Sequence, residues 1–304
     1  MPCRSPLQGY RTPDGKVVFG DRSNTLGRFG LVTFRCGVCR DCRLHRAREW
    51  AIRCYHEGQL HDRSCFVDLT FENAPESISK RDLQLFFKRL RKSLPGTKIR
   101  YFAVGEYGEK LERPHYHVCI FGWEPTDKYP WRRSKKGTLL YRSPHLEKVW
   151  TAGHVTVSDI TPEAAGYAAR YTLKKIGGDM ADEHYGGKTP EFNVTSNGLG
   201  KGWIEKYWKD IEHLGYVVYK GKECPIPRYY WKWLKDHQPK VHERLIAKAV
   251  ERSDEIPYES GKRIYQASQA RDARTSALRR DYEDSGTASP LPADRSRPNR
   301  PLDR

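Results

Sequence analysis

Pro114-His115-Tyr116-His117-Val118-Cys119-Ile120-Phe121 is the stretch on which the reading of this chain turns. Its β-branched and aromatic residues predict a strand, and on a strand residues i and i+2 point to the same face. His115 and His117 can therefore offer two imidazoles to one metal while Tyr116 faces the other way, with Val118, Ile120 and Phe121 anchoring the strand. Taken alone, a His-x-His pattern describes two ordinary histidines near a strand end, and its weight comes from its neighbours. Ile99 to Glu106 reads as a preceding strand, joined through a polar turn at Tyr107 to Arg113. A hairpin would bring Glu106 beside the histidines; Glu112, closer in sequence, sits in the turn, and a solvated carboxylate is the bland alternative for Glu106. Two imidazoles and one carboxylate leave coordination positions open, which suits Mn²⁺ or Mg²⁺ bound to a phosphate oxygen.

Working outward, Cys65 to Phe71 is a strand of β-formers and aromatics. Ser79 starts a helix with Leu83, Phe86, Phe87, Leu90 and Leu94 on one face, and Pro95-Gly96 stops it. A basic aromatic loop runs from Trp123 to about Ser143. A short helix at Leu146 to Trp150 and a strand at His154 to Ser158 follow. Thr161-Pro162-Glu163 then opens a helix that ends near Gly177-Gly178. Before this core lie an irregular segment to about Leu31 and a long helix from Leu44 to Leu60. After it come a helix at Trp203 to Trp208, a hairpin between Tyr216 and Ile226, and two helices near residues 229–235 and 241–250. The predicted fold class is α+β, a central antiparallel sheet flanked by helices. The organisation expected is a Cys-rich segment and helix at 1–62, a core at 63–180, a helical and hairpin extension at 181–253, and a basic tail at 254–304 too poor in apolar residues to fold.

The helix after Pro162 carries Tyr167-Ala168-Ala169-Arg170-Tyr171-Thr172-Leu173-Lys174-Lys175. Four helical residues turn through about 400° and rise about 6 Å, so both phenols lie on one face. Small Ala168 and Ala169 fall between them; Arg170, Lys174 and Lys175 add positive charge. An amphipathic helix with two core tyrosines has the same pattern. Joined to the histidine strand, the pair suggests a nucleophile. A phenol with a pKa near 10 is a poor nucleophile alone, but a metal on His115, His117 and Glu106 could polarise a phosphodiester for its attack. Two tyrosines would permit a second transfer while the first holds DNA.

The formal net charge is +17, with 12% aromatic residues interleaved among the Lys and Arg. That balance favours a polyanionic partner, here nucleic acid, over a merely soluble basic surface. Arg132, Arg133 and the neighbouring Ser134-Lys135-Lys136 are candidate phosphate contacts, as are Arg89, Arg91 and Lys92; Trp131 or Tyr129 could stack on an unpaired base. No run of about 18 apolar residues predicts a transmembrane helix, and residues 1–10 lack the apolar stretch of a secretory signal, so no membrane partner and a cytoplasmic location are expected. In that compartment thiols stay reduced. Cys36, Cys39 and Cys42 then suit a structural Zn²⁺ site, with Cys3 or His45 as the fourth ligand. Three reduced thiols at a helix start are the alternative. No Gly-x₄-Gly-Lys phosphate loop is present, so unwinding is expected from a host helicase.

In their order, Phe66-Val67-Asp68-Leu69-Thr70-Phe71, Pro114-His115-Tyr116-His117 and Tyr167-x₃-Tyr171 with Lys174 resemble the three motifs of rolling-circle replication initiators, the two-tyrosine branch of the HUH endonucleases. The Cys36-x₂-Cys39-x₂-Cys42 start and Gly105-Glu106-Tyr107-Gly108 are similar to the replication initiators of gokushoviruses, single-stranded DNA phages of the microvirus group. The resemblance covers residues 3–175 well and the rest loosely. It implies a sheet of the RRM or ferredoxin-like kind with helices on one side, His115 and His117 as metal ligands, Tyr167 and Tyr171 as nucleophiles, and Lys174 as the motif's lysine. The implied activity is metal-dependent nicking of one strand of the phage origin in the host cell, through a 5′-phosphotyrosine intermediate that is later rejoined. Two rivals remain open: a non-enzymatic zinc-dependent nucleic-acid binder, and a metal-dependent phosphohydrolase with no covalent intermediate.

Overall fold

The computed structural model describes residues 3, 6–11, 17–18, 31–108, 112–134, 137–160, 180–254, 266, 269–270 and 273. Its contacts divide them into two units, one up to His45 and one from Arg46 onward, the division falling within a helix, α1 (Arg40–Gly58). The first unit holds three short antiparallel strands, β1 (Leu7–Arg11), β2 (Val17–Val18) and β3 (Leu31–Phe34), in the order β2-β1-β3. The sequence reads this segment as irregular.

The second unit is built on β4 (Ser64–Phe71), β5 (Arg100–Tyr107), β6 (Pro114–Phe121), β7 (Tyr129–Arg133), β8 (Leu139–Arg142), β9 (Gly153–Asp159) and β10 (Phe192–Thr195). They form one antiparallel sheet in the order β10-β5-β6-β4-β9-β8-β7. The expected hairpin is β5–β6, with Glu106 opposite His115 and Val104 opposite His117. Gly105 allows the close packing beside it: a Cβ there would lie 3.0 Å from both the Tyr116 and Phe192 rings. The predicted loop at 123–143 is instead a hairpin, β7–β8, with an irregular register at Pro130/Arg132.

Side-chain alternation gives the sheet two faces. Cys65, Val67, Leu69 and Phe71 of β4, Tyr116, Val118 and Ile120 of β6, and Val155 and Val157 of β9 share one face. On it pack α2 (Lys80–Ser93), through Leu83, Phe86, Phe87 and Leu90, and α3 (Pro144–Val149), through Leu146 and Val149. Ser79 caps α2, accepting from Arg81 N–H, and the indole N–H of Trp150 donates to Thr70 O at 2.9 Å. Phe66, Phe102, Val104, Cys119 and Phe121 line the other face, against Cys54 and Trp50 of α1. Helices therefore cover both faces, not one as the resemblance implied. The reason is visible in the first half of β4, where Cys65, Phe66 and Val67 are consecutive buried residues, so neither side faces water there.

The remaining elements are α4 (Met180–Tyr185), α5 (Lys201–Leu214), the hairpin β11 (Val217–Tyr219) and β12 (Lys222–Cys224), α6 (Arg228–His237) and α7 (Pro239–Asp254), and a second core forms around Ile52 of α1. Of these, α5 to α7 and the hairpin supply Ile204, Ile211, Val217, Tyr230, Leu234 and Leu245. His56 is stacked there on Trp203 at 3.6 Å and bonds the Tyr230 hydroxyl at 3.0 Å. Among the described residues no helix is long and apolar enough to cross a membrane.

Candidate functional site

The second sheet face carries two adjacent rows made mostly of polar side chains. One runs Glu106, His115, Thr70, His154 across β5, β6, β4 and β9; the next runs Val104, His117, Asp68, Thr156. The sheet thus turns sequence neighbours i, i+2 and a residue nine positions earlier into one cluster. His115 Nε2 lies 2.6 Å and His117 Nε2 3.0 Å from Glu106 Oε1, and the three donor atoms form a group able to hold a metal ion. Glu106 and His117 are buried, His115 about one-fifth exposed. Glu112 does not join them: it sits in the turn at φ 46° and pairs with Lys188 at 3.1 Å.

The ring orientations follow from the outer nitrogens. His115 Nδ1 is 3.0 Å from Arg113 O, an oxygen that only accepts, so Nδ1 carries the proton and Nε2 is turned to the centre. His117 Nδ1 bonds Asp68 Oδ1, whose other oxygen accepts from Thr156 Oγ1 at 3.2 Å. Such outer partners orient metal-binding imidazoles and raise their basicity. Burial opposes charge on His117, but the Asp68 charge and hydrogen bond, with Glu106 behind them, push its pKa up to about 10. Burial likewise disfavours a charged Glu106, yet hydrogen bonds and charge from both histidines hold it below its ordinary value. A cation bound here would have to displace a proton from His117.

Asp68 is the residue that sequence reasoning missed, although its alternation with Phe66 and Thr70 places it on the face of His117. Glu191, 3% exposed just before β10, was missed as well. Burial, with the Glu106 charge adding to it, raises its pKa against the Tyr185 hydroxyl that donates to it. Tyr116 turns to the α2 side, fully buried, and donates to Asp82 Oδ2 at 2.6 Å. An open cleft of about 450 Å³ lies beside His115, lined by Thr70, Phe71, Glu72, Arg113, Pro114 and His154.

Tyr167, Arg170, Tyr171, Lys174 and Lys175 lie outside the described residues. Arg132 and Arg133 stand on β7, every residue of which is exposed. Tyr129 and Trp131 are 47% and 44% exposed, and the guanidinium of Arg132 lies 4.1 Å from the Trp131 ring centre. Arg91 instead lies over Phe87 and Tyr101, on the sheet face opposite the His–Glu group. In the first unit, Cys3, Cys36, Cys39 and Cys42 form a second group able to hold a metal ion, which His45 does not join.

A family model for the replication-associated protein ORF2/G2P matches residues 64–176, the stretch that contains six of the sheet's seven strands, β4 to β9. The replication-associated protein VP4 of Bdellovibrio phage phiMH2K is 35% identical over 272 residues, 84% of each chain. ORF2 of Spiroplasma virus 4, also a replication-associated protein, is 29% identical over 81% of this chain and 88% of its own. ORF4 of Chlamydia phage 1 is 31% identical over 64% of this chain and 52% of its own. No solved structure matches. The chain belongs to the family of phage replication-associated proteins.

Proposed function

We propose that this chain initiates rolling-circle replication by nicking one strand of the phage origin, with Tyr167 or Tyr171 as nucleophile. The observation that carries the reading is the convergence of His115, His117 and Glu106 on one sheet face. Their donor atoms stand 2.6 and 3.0 Å apart. Adjacent ligands of an octahedral ion with bonds of about 2.1 Å are separated by about 3.0 Å, so the group suits Mg²⁺ or Mn²⁺ with positions left for water and phosphate. When bound, such an ion would polarise the scissile phosphate and offset charge in the transition state.

The chain's own groups do the rest. Asp68 and Arg113 O fix the two imidazoles. Order along the chain supports a HUH-like arrangement: β4, α2, β5, β6, α3 and β9 give the central strand order β5-β6-β4-β9, the order of ferredoxin-like βαββαβ units. We assign the chemistry to residues 63–180. The phenolate attacks phosphorus in line, an Oη–P bond forms, the P–O3′ bond breaks, and the departing 3′-oxygen takes up a proton. The phosphotyrosine ester conserves the bond, so a later 3′-hydroxyl can reverse the step without ATP. Lys174, Arg170 and Lys175 offset phosphate charge beside the nucleophiles. The exposed strand β7, with Trp131 and Tyr129 among Arg132 and Arg133, provides stacking faces and cations for single-stranded DNA. Host helicase and replication proteins would act on the opened strand.

The test is cleavage of single-stranded origin DNA in Mn²⁺ or Mg²⁺. The wild type should release a fragment whose 3′-hydroxyl a polymerase extends, while the other fragment stays protein-bound; His117→Ala and Glu106→Gln should abolish both. Tight binding with no cleavage by the wild type would instead establish a non-enzymatic binder.

A further inference from the structure

Outside the His–Glu site, four cysteines gather in the first unit. Cys3 Sγ lies 3.5 Å from Cys36 Sγ and 3.7 Å from Cys39 Sγ, and Cys36 Sγ lies 3.9 Å from Cys42 Sγ. A disulfide needs about 2.05 Å, so none of these pairs is bonded, and all eight cysteines are free thiols. Simple packing of thiols would not draw four sulfurs, from residues up to 39 positions apart in sequence, within 4.8 Å of one another. A tetrahedral zinc ion would. With Zn–S bonds of about 2.3 Å, the edge of the sulfur tetrahedron is about 3.8 Å, within about 0.3 Å of all three separations.

The backbone agrees with that charge. Cys36 N–H points to Cys3 Sγ at 3.3 Å, and Cys39 N–H to Cys36 Sγ at 3.3 Å. Amide donors aimed at sulfur stabilise thiolate, the form that binds metal. The Cys36-x₂-Cys39 turn needs Gly37 at φ 78° to fold back in this way.

We propose that Cys3, Cys36, Cys39 and Cys42 hold one structural Zn²⁺. Four thiolates close the coordination sphere, so this ion has no open position for substrate, in contrast to the His115–His117–Glu106 group. Its role is to fasten Cys3 to the Cys36–Cys42 turn at the start of α1. The inference stands independently of the nicking reaction.

The full chain is purified without added metal, and its zinc is measured by mass spectrometry of the elements. About one zinc per chain is expected, lost in Cys3→Ser and Cys42→Ser and retained in Cys224→Ser and His117→Ala. Cobalt substitution should give the intense sulfur-to-metal and ligand-field bands of a tetrahedral thiolate site. Stripping the metal should free four additional thiols to an aromatic disulfide reagent and remove hydrogen-exchange protection at the Cys36 and Cys39 amides. Zinc that persists in both Cys3→Ser and Cys42→Ser, zinc that disappears in His117→Ala, or wild-type protein with neither zinc nor cobalt bands would each overturn the assignment.

Discussion

Acid should weaken the packing of α5 and α6 on α1 through one side chain, His56. Its ring stacks on Trp203, with Nδ1 on the Tyr230 hydroxyl. Burial holds its pKa down at about 4, against a small opposing pull from Val218 O. Between pH 4 and 6.5 the unfolded chain therefore takes up a proton that the folded chain refuses. Stability from this group is complete above about pH 6.5 and falls as the pH is lowered. A folded value of about 4 against an unfolded value of about 6.5 costs about 2 kcal/mol at pH 5 and about 3 kcal/mol below pH 4. Urea denaturation of wild type and His56→Phe at several pH values isolates the effect. Phenylalanine keeps the stacked ring and removes the titration. The variant should be less stable at pH 8, having lost the Tyr230 hydrogen bond, but its stability should fall by about 2 kcal/mol less on going to pH 5. Parallel losses in the two proteins would refute the reasoning.

Asp68→Asn should weaken Mn²⁺ binding about 10- to 100-fold by calorimetry, because Asp68 orients His117 without being grouped with the three donor atoms. Unchanged affinity would remove Asp68 from the account. Arg132→Ala with Arg133→Ala should weaken single-stranded DNA binding and lower the slope of log affinity against log salt by about 1 to 2, measured by fluorescence anisotropy. Phe86→Ala, in the fully buried centre of α2, should destabilise the second unit by about 3 to 5 kcal/mol in chemical denaturation, and a loss under 1 kcal/mol would contradict the packing described.

What the sequence disclosed was set by how strongly burial leaves a pattern. β4, β5, β6 and α2 carry runs of apolar residues and clear stops at Pro95-Gly96, and their positions were legible. β7 was not, since all five of its residues are exposed and nothing in it alternates; its arginines and Pro130 read as a loop. β10 is four residues long and takes its place by pairing with the edge of β5, a long-range contact that local patterning does not record. The His–Glu group was legible because strand alternation and a hairpin suffice to bring it together. Asp68 required knowing that β4 lies beside β6 in the register that sets Asp68 opposite His117. Glu191 required the β10–β5 pairing. The second covered face could have been inferred from the unbroken apolar run at Cys65-Phe66-Val67, which an alternating strand with one wet face would lack.

The most direct measurement of the central claim is the site of DNA attachment. Wild-type protein is reacted with labelled single-stranded origin DNA and Mn²⁺, the adduct is trimmed with nuclease and protease, and the nucleotide-bearing peptide is sequenced by mass spectrometry. The account predicts a 5′-nucleotide on Tyr167 or Tyr171, and no adduct from the protein in which both are phenylalanine. Strand cleavage that persists in that double variant, or a nucleotide attached to any other residue, would contradict it.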